Sequence, residues 1–135
     1  MKTCDYVGCK NFPCSDVNHS SYIIPGVEID ARAISIVLIS ESAPEKLEDY
    51  YYSGGAAAGT AARAPLFAET TLLAFSDAGV KVDSVQELIQ RGVYLTSAVK
   101  CAKTTYGIQT STIAECSRLL EQELSLFPNI KKLTC

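Results

Sequence analysis

Two short apolar runs, rich in β-branched residues, limit the folds open to this chain more than any other feature of its sequence. The first run is AISIVLIS (Ala33 to Ser40) and the second is VYLTSAV (Val93 to Val99). Continuous apolar runs of this length are typical of strands buried on both faces, as in a parallel sheet. Helical patterns separate the two runs, so the sequence predicts an α/β fold with right-handed crossover connections.

Three other stretches predict helices. PLFAETTLLAFSDAG (65–79) begins with a proline suited to a first helical turn and ends in a glycine. SVQELIQRG (84–92) has Ser84 as its N-cap and Glu87 in place to complete a capping box, and a glycine ends it. The longest stretch, TSTIAECSRLLEQELSLFP (110–128), is predicted to turn these apolar residues toward a core: Ile113, Leu119, Leu120, Leu124 and Phe127.

The remaining segments set the domain plan. NIKKLTC (129–135) is predicted to lead into a third strand. Because so few strands make a weak sheet, we expect residues 33–135 to be the N-terminal part of a three-layer α/β/α domain with a central parallel sheet, incomplete at its C-terminus. Residues 1–32 form an irregular, cysteine-containing N-terminal arm, which we expect to be mobile unless something clamps it. Residues 41–65 are predicted to be a long, low-complexity loop.

The composition restricts the function classes. Hydrophobic residues make up 47% of the chain and charged residues 20%, as in ordinary globular proteins. A net charge of −3 argues against broad, non-specific binding of nucleic acid. The sequence has neither a long apolar run nor an apolar N-terminal signal, so we expect a cytoplasmic protein that is a monomer and makes no membrane contact.

Six cysteines in a cytoplasmic chain favour metal or iron–sulfur ligation over disulfides, although buried cysteines also serve as small apolar residues. Cys4, Cys9 and Cys14 lie in the N-terminal arm, whereas Cys101 and Cys116 flank the loop after the second predicted strand. Neither set has the C-x-x-C spacing of a zinc ribbon. Together they have enough thiolates for a 4Fe–4S cluster, with zinc as the alternative. The single histidine, His19, is expected to be a polar surface residue.

Ligands of open parallel sheets bind at the carboxyl ends of the strands. Glu41 follows the first predicted strand, where it is either a general base or a solvated loop acid. Lys100 and Lys103 follow the second strand and are candidates for phosphate contacts. The three tyrosines of EDYYY (48–52) either stack on a base or cover a pocket, or one or two of them pack on the core. The glycine-rich SGGAAAGT (53–60) raises a flavodoxin-like nucleotide-binding alternative, but it lacks the required place between strand and helix.

Four stretches, taken in order, resemble the iron–sulfur-containing branch of the uracil-DNA glycosylase superfamily. They are LISESAPEKLEDYYY, APLFAETTLLAF, YLTSAVKC and TIAECSRLLEQELSLFP, and the resemblance covers about residues 33–133. It implies hydrolysis of the N-glycosidic bond of uracil, or another damaged base, after the base leaves the DNA stack. It also implies four cluster ligands, with Cys4 as a substitute for either of the first two: Cys9, Cys14, Cys101 and Cys116.

The resemblance further implies roles around the base. Glu41 would be the carboxylate near the sugar or water, and Phe67 would stack on the flipped base. Ser40 and Ser42 would hold the base carbonyl through their backbone, and Ser97 stands where the family often has asparagine. The family's His-Pro-Ser type loop is missing, so we expect this chain to be a fragment with little or no activity. The alternative is a non-catalytic iron–sulfur or zinc module that binds nucleic acid or a protein partner.

Overall fold

The computed structural model describes residues 1–53 and 66–135, with the side chains of all of these except Leu66. This part of the chain is mixed α/β, with three helices and a three-stranded parallel sheet in the order β3-β2-β5. The elements are β1 (Val17–Asn18), β2 (Ile36–Ser42), α1 (Leu66–Asp77), α2 (Val85–Gln90), β3 (Val93–Val99), β4 (Ala102–Lys103), α3 (Thr110–Leu124) and β5 (Lys132–Thr134).

The predicted strands are confirmed, and one of them begins and ends later in the sequence than predicted. β3 coincides with the run VYLTSAV. β2 begins three residues later than Ala33 and continues past Ser40. The backbone N–H of Ala33 donates to Asp30 O at 3.0 Å in a turn, so Ala33 does not join the ladder.

The helix start and stop signals are also confirmed. α1 begins directly after Pro65, and the backbone of Gly79 beyond its end has a positive φ of 88°. At α2, the Ser84 hydroxyl accepts from the Glu87 N–H at 3.2 Å, and the Glu87 carboxylate accepts from the Asp83 N–H at 3.3 Å. The first bond satisfies an N–H of the first helical turn, as predicted; the second differs from a standard capping box, because the Glu87 carboxylate binds the N–H of Asp83, one residue before the N-cap.

The buried face of α3 differs from the predicted one. Ile113 is 48% exposed, so its assignment to the core is wrong. Leu119 and Phe127 are buried as predicted, and Leu120 and Leu124 are half-buried. Polar side chains occupy part of the inward face, so a pattern of apolar residues alone misplaces it; the buried residues of α3 are Thr112, Cys116, Leu119 and Glu123.

The three consecutive tyrosines pack in the core. Tyr50 and Tyr51 are buried. The hydroxyl of Tyr52 donates to Leu95 O at 2.7 Å and accepts from Leu95 N–H at 2.8 Å. The core interpretation is therefore confirmed, and the interpretation in which these rings are free to stack on a base is wrong.

The N-terminal arm is docked on the domain, and contacts within the chain hold it there. β1 pairs antiparallel with β4, and Ile23 N–H donates to Lys100 O at 2.8 Å. The Asp16 carboxylate accepts from the Gln109 N–H at 2.7 Å and from the Thr112 hydroxyl, so the arm caps the first turn of α3. Both hydrogen bonds lower the pKa of the Asp16 carboxyl, and the bond from Gln109 has the larger effect.

Gly92 links α2 to β3 in a conformation that no other residue fits. Its φ is +86°, and an added Cβ would lie 2.6 Å from Ala33 O. Gly79 has a similar φ of +88° but nothing within 4 Å of an added Cβ.

We expect Gly79→Ala to lower the free energy of unfolding by about 1–2 kcal/mol, the cost of left-handed backbone. Gly92→Ala should cost about 1–3 kcal/mol more, because the clash adds to that cost. Urea unfolding of the two variants measures the difference, and equal losses would contradict the clash.

Two further features bear on the expectations from sequence. No helix within the described residues is both long and apolar enough to cross a membrane. Residues 54–65, which hold most of the glycine-rich stretch, lie outside the described part of the chain, and so does the nucleotide-binding interpretation that depends on them.

Candidate four-cysteine site

Four cysteines from two distant parts of the sequence line one cavity. Cys9 and Cys14 come from the N-terminal arm, whereas Cys101 and Cys116 come from the α/β domain. The cavity has a volume of about 10 Å³, and it is partly open to solvent. The structure therefore brings together the four cysteines that the sequence singles out; the other residues around this four-cysteine cavity are Phe12, Val17, His19, Tyr22, Lys100 and Leu119.

Regular elements position the two domain cysteines. Cys101 follows the end of β3 and precedes β4, so the sheet fixes its place. Cys116 lies on the buried face of α3, with Leu119 on the next turn. Both thiols are buried, so the carboxyl end of β3 and one face of α3 form the inner wall of the cavity.

Local hydrogen bonds and backbone turns position the two arm cysteines. The Cys9 N–H donates to the Tyr22 hydroxyl at 2.8 Å. Between Cys9 and Cys14 the chain turns through Asn11 and Phe12, whose φ angles are positive at 67° and 42°. Non-glycine residues adopt positive φ only where the surroundings impose it. This turn lets one short segment present two thiols to the same cavity.

Aromatic rings cover the outer side of the cavity. The Phe12 ring lies 5.0 Å from the Tyr22 ring and 5.3 Å from the His19 ring. His19 is exposed, as predicted, and its Nε2 donates to Cys14 O across 2.6 Å. The histidine thus braces the backbone of the arm beside the thiols.

The surroundings of the inner wall favour the protonated form of its two thiols, even with Lys100 nearby. Burial raises the pKa of Cys101 to about 12, and the charges of Cys116, Cys9 and Cys14 add to the rise. Burial also raises the pKa of Cys116, although a hydrogen bond from the Lys100 backbone N–H opposes it. All six cysteines are free thiols. Four thiolates can coexist here only if a cationic group between them compensates their charge.

The two remaining cysteines are separate from this site. Cys4 and Cys135 are exposed and are not among the residues that line the cavity. The Cys4 thiol points at the Asp5 carboxylate, with 3.9 Å between Sγ and Oδ1. The geometry therefore favours Cys9 and Cys14, rather than Cys4, as the arm cysteines of this site.

Among residues 1–53 and 66–135, no three His, Cys, Asp or Glu side chains are arranged to hold a single metal ion.

The second predicted set lies where β2 and β3 end. Ser40 pairs with Ser97 in the ladder and Ser42 pairs with Val99, so the three serines share one face of the sheet. The Ser40 hydroxyl donates to Thr96 O at 3.3 Å. The Ser97 hydroxyl is buried and has no hydrogen-bond partner among the described residues.

Glu41 and Phe67 are placed differently from these serines. The alternation along β2 turns the Glu41 side chain to the opposite face, where it is 63% exposed and lies 3.0 Å from Lys103 Nζ. The half-buried Phe67 ring packs against Tyr51, with ring centroids 5.4 Å apart. A second cavity lies beside residues 28–33 and 86–90, and neither cavity is lined by Glu41, Phe67 or Ser97.

Two buried charges next to the cavity were missed by sequence reasoning. Lys100 is fully buried, so its predicted contact with phosphate is wrong. Its partner is Glu123, seven residues beyond Cys116 on the same face of α3. That spacing is the one signal that could have identified Glu123, because residues two helical turns apart share a face.

The fold and the site together define a class: a mixed α/β domain whose N-terminal arm and parallel sheet enclose a four-thiol cavity. Comparison with family models, curated proteins and solved structures finds no match for the chain. The function must therefore be argued from the residues themselves.

Proposed function

We propose that this protein binds a 4Fe–4S cluster through Cys9, Cys14, Cys101 and Cys116. The observation that carries the proposal is the shared cavity of four thiols that are distant in sequence. In such a cluster each cysteine ligates its own iron. A zinc ion is the alternative, and it would need all four thiolates to converge on one point. The cluster supplies the positive charge that the buried thiolates of Cys101 and Cys116 need.

We further propose a uracil-DNA glycosylase-like repair function, in which the protein hydrolyses the N-glycosidic bond of uracil or another damaged base in DNA. The parallel sheet, with its carboxyl edge beside the four-cysteine cavity, supports this proposal. In it the sheet is the centre of a three-layer α/β/α domain, and the protein is a cytoplasmic monomer.

The residues at the strand ends have distinct parts in this proposal. The unpartnered Ser97 hydroxyl would hydrogen-bond the edge of the flipped base. The backbone at Ser40 and Ser42 would contact the base carbonyl, and Phe67 would stack on the ring after leaving Tyr51. Glu41 would stabilise the cation-like sugar or orient the attacking water.

A second candidate is a non-catalytic cluster module that binds nucleic acid or a protein partner. The ion pair between Glu41 and Lys103 favours it, because a paired carboxylate on the open surface has no substrate pocket around it. This candidate keeps the four cysteines and assigns no chemistry to Glu41 or Phe67.

The spectrum and iron content of anaerobically purified protein test the cluster. We expect a broad absorption band near about 400 nm and about four irons per chain. A folded, colourless protein without iron would overturn the cluster, and stoichiometric zinc would replace it with a zinc site.

The glycosylase proposal predicts a specific loss in Glu41→Gln. Loss of a general base or charge stabiliser slows a reaction about 10²–10⁴-fold, so release of uracil should slow by that factor. The measurement is single-turnover release from a uracil-containing oligonucleotide, made with the natural protein that carries this sequence. Glu45→Gln is the matched control because Glu45 is also exposed and follows the same strand. Equal rates in the two variants would rule out Glu41, and no release by iron-loaded wild type would favour the non-catalytic module.

A further inference from the structure

An ion pair is buried beside the four-cysteine cavity. Lys100 and Glu123 are each fully buried, and Lys100 Nζ lies 2.5 Å from Glu123 Oε2. Burying two charges costs several kcal/mol per ion, and only good geometry with further hydrogen bonds offsets that cost. Apolar residues of similar size would hold the fold as well. Stability alone therefore does not explain why this ion pair is present.

The hydrogen bonds around the pair fix the protonation state of the lysine. Nζ lies within hydrogen-bond distance of three oxygens: Glu123 Oε2 at 2.5 Å, Ser97 O at 2.5 Å and Thr96 Oγ1 at 2.9 Å. The Thr96 hydroxyl has already donated its proton to Glu123 Oε1 at 2.8 Å, so it can only accept from Nζ. Three donations require three protons, and Lys100 is therefore an ammonium ion.

Glu123 is held as a carboxylate by the same network. Its Oε1 accepts from the Tyr94 hydroxyl at 2.6 Å in addition to Thr96. The Tyr94 hydroxyl also lies 2.9 Å from Thr3 Oγ1, so the network reaches the N-terminal arm. Every contact to the Glu123 side chain is made by a donor, so Glu123 is held as a carboxylate and Lys100 as an ammonium.

Of the two charged residues, Lys100 is the one that lies beside the thiols. Lys100 lines the four-cysteine cavity, whereas Glu123 is not among its lining residues. Burial raises the pKa of Cys116, and the Lys100 ammonium opposes that rise. Burial likewise lowers the pKa of Lys100, and the negative charges of Glu123 and Cys116 oppose the fall. Lys100 also directly precedes Cys101, so it is covalently next to one inner-wall cysteine and hydrogen-bonded through its backbone to the other.

We propose that Lys100, fixed by Glu123, is a built-in positive charge that raises the reduction potential of the iron–sulfur cluster held by the four cysteines. The inference rests on the proposed cluster and goes beyond it, because it assigns a charge-tuning role to residues that are not ligands. Reduction adds one electron to a group that four thiolates already make negative. A nearby ammonium stabilises the more negative, reduced form, and net charge is one of the properties that set cluster potentials.

Two single substitutions with opposite expected shifts test the inference. Lys100→Met removes the ammonium and should lower the midpoint potential. Glu123→Gln removes the counter-charge while its amide oxygen still accepts from Nζ, so in a titration at acidic pH, where the lysine stays an ammonium, it should raise the potential. Each shift is expected to change the ratio of reduced to oxidised cluster at least tenfold at a fixed potential, which for one electron is about 59 mV. The measurement is a redox titration of the iron-loaded protein, followed by its visible spectrum and electron paramagnetic resonance.

Matched variants separate a charge effect from a general disturbance of the fold. Lys103→Met removes a partly exposed lysine three residues away and should leave the potential unchanged. The double variant Lys100→Met/Glu123→Gln leaves no uncompensated buried charge, so it should fold even if a single variant does not. Its potential should lie below that of wild type, because it has lost the charge nearer to the cavity.

The outcomes distinguish this inference from the proposal beneath it. A wild-type protein without iron overturns both. An iron-loaded protein whose potential does not move in the variants, or moves in the same direction in both single variants, overturns the role of Lys100 and leaves the cluster in place. Opposite shifts in the single variants, with the double variant below wild type, establish it.

Discussion

Replacing Cys101 with serine should remove nearly all of the iron from the protein. Cys101 joins the tip of β3 to the inner wall of the four-cysteine cavity, and neither Cys4 nor Cys135 lines that cavity. A hydroxyl is a poor substitute because it stays protonated and is a harder ligand than a thiolate. Iron per chain should fall from about four to near zero, with loss of the band near about 400 nm.

The exposed cysteines provide the controls for this experiment. Cys135→Ser and Cys4→Ser change thiols that do not line the cavity, so both variants should keep their full iron content. The Cys4 variant also tests the ligand set directly. Iron loss in Cys4→Ser would show that Cys4 replaces Cys9 or Cys14. Full iron in Cys101→Ser would show that the cavity does not hold the metal.

The sequence predicts the sheet well because the strands of a parallel sheet are apolar on both faces. The run Val93 to Val99 needs no knowledge of its neighbours to be identified as β3. The same holds for the N-cap at Ser84, whose signal lies within four residues. Local chemistry alone specifies these elements, so local reasoning finds them.

The features that escaped prediction depend on contacts between distant residues. Asp16 caps a helix that begins more than ninety residues later, and no local pattern shows this. Ile113 has the right chemistry for a core, but α3 turns Thr112 inward because Asp16 binds it there. The docking of the N-terminal arm follows from these pairings rather than from its own irregular sequence.

The residues of the candidate site also fall into two groups: those that the sequence alone identifies and those whose place depends on distant contacts. The four cysteines could be named from sequence because thiols are rare and their number matches a cluster. Lys100 was expected on the surface because a lysine at a strand end is usually solvated. Its burial depends on Glu123, which lies in a different element, and an acid on a helix resembles any other surface acid until its partner is known.

Breaking the buried pair from one side should be the most destabilising substitution of a charged residue in the described part of the chain. Glu123→Ala leaves the Lys100 ammonium without its counter-ion and removes an acceptor from Tyr94 and Thr96. Removing one partner of a buried pair typically costs about 3–5 kcal/mol, and a loss of that size is expected in the free energy of unfolding. Urea-induced unfolding, followed by circular dichroism, measures it as a shift in the midpoint.

Two comparisons show whether the uncompensated charge is the cause. Glu121→Ala removes an exposed acid two residues away on α3 and should change stability by less than about 0.5 kcal/mol. Lys100→Met combined with Glu123→Leu removes both charges and fills the space with apolar atoms. Such replacements are often neutral or stabilising by about 1–4 kcal/mol, so the double variant should recover most of the loss. If it is as unstable as Glu123→Ala, the packing around Glu123 rather than its charge holds α3 to the sheet. Recovery of stability without the pair would mean that the fold does not need these charges, which is the result expected if they serve the four-cysteine site.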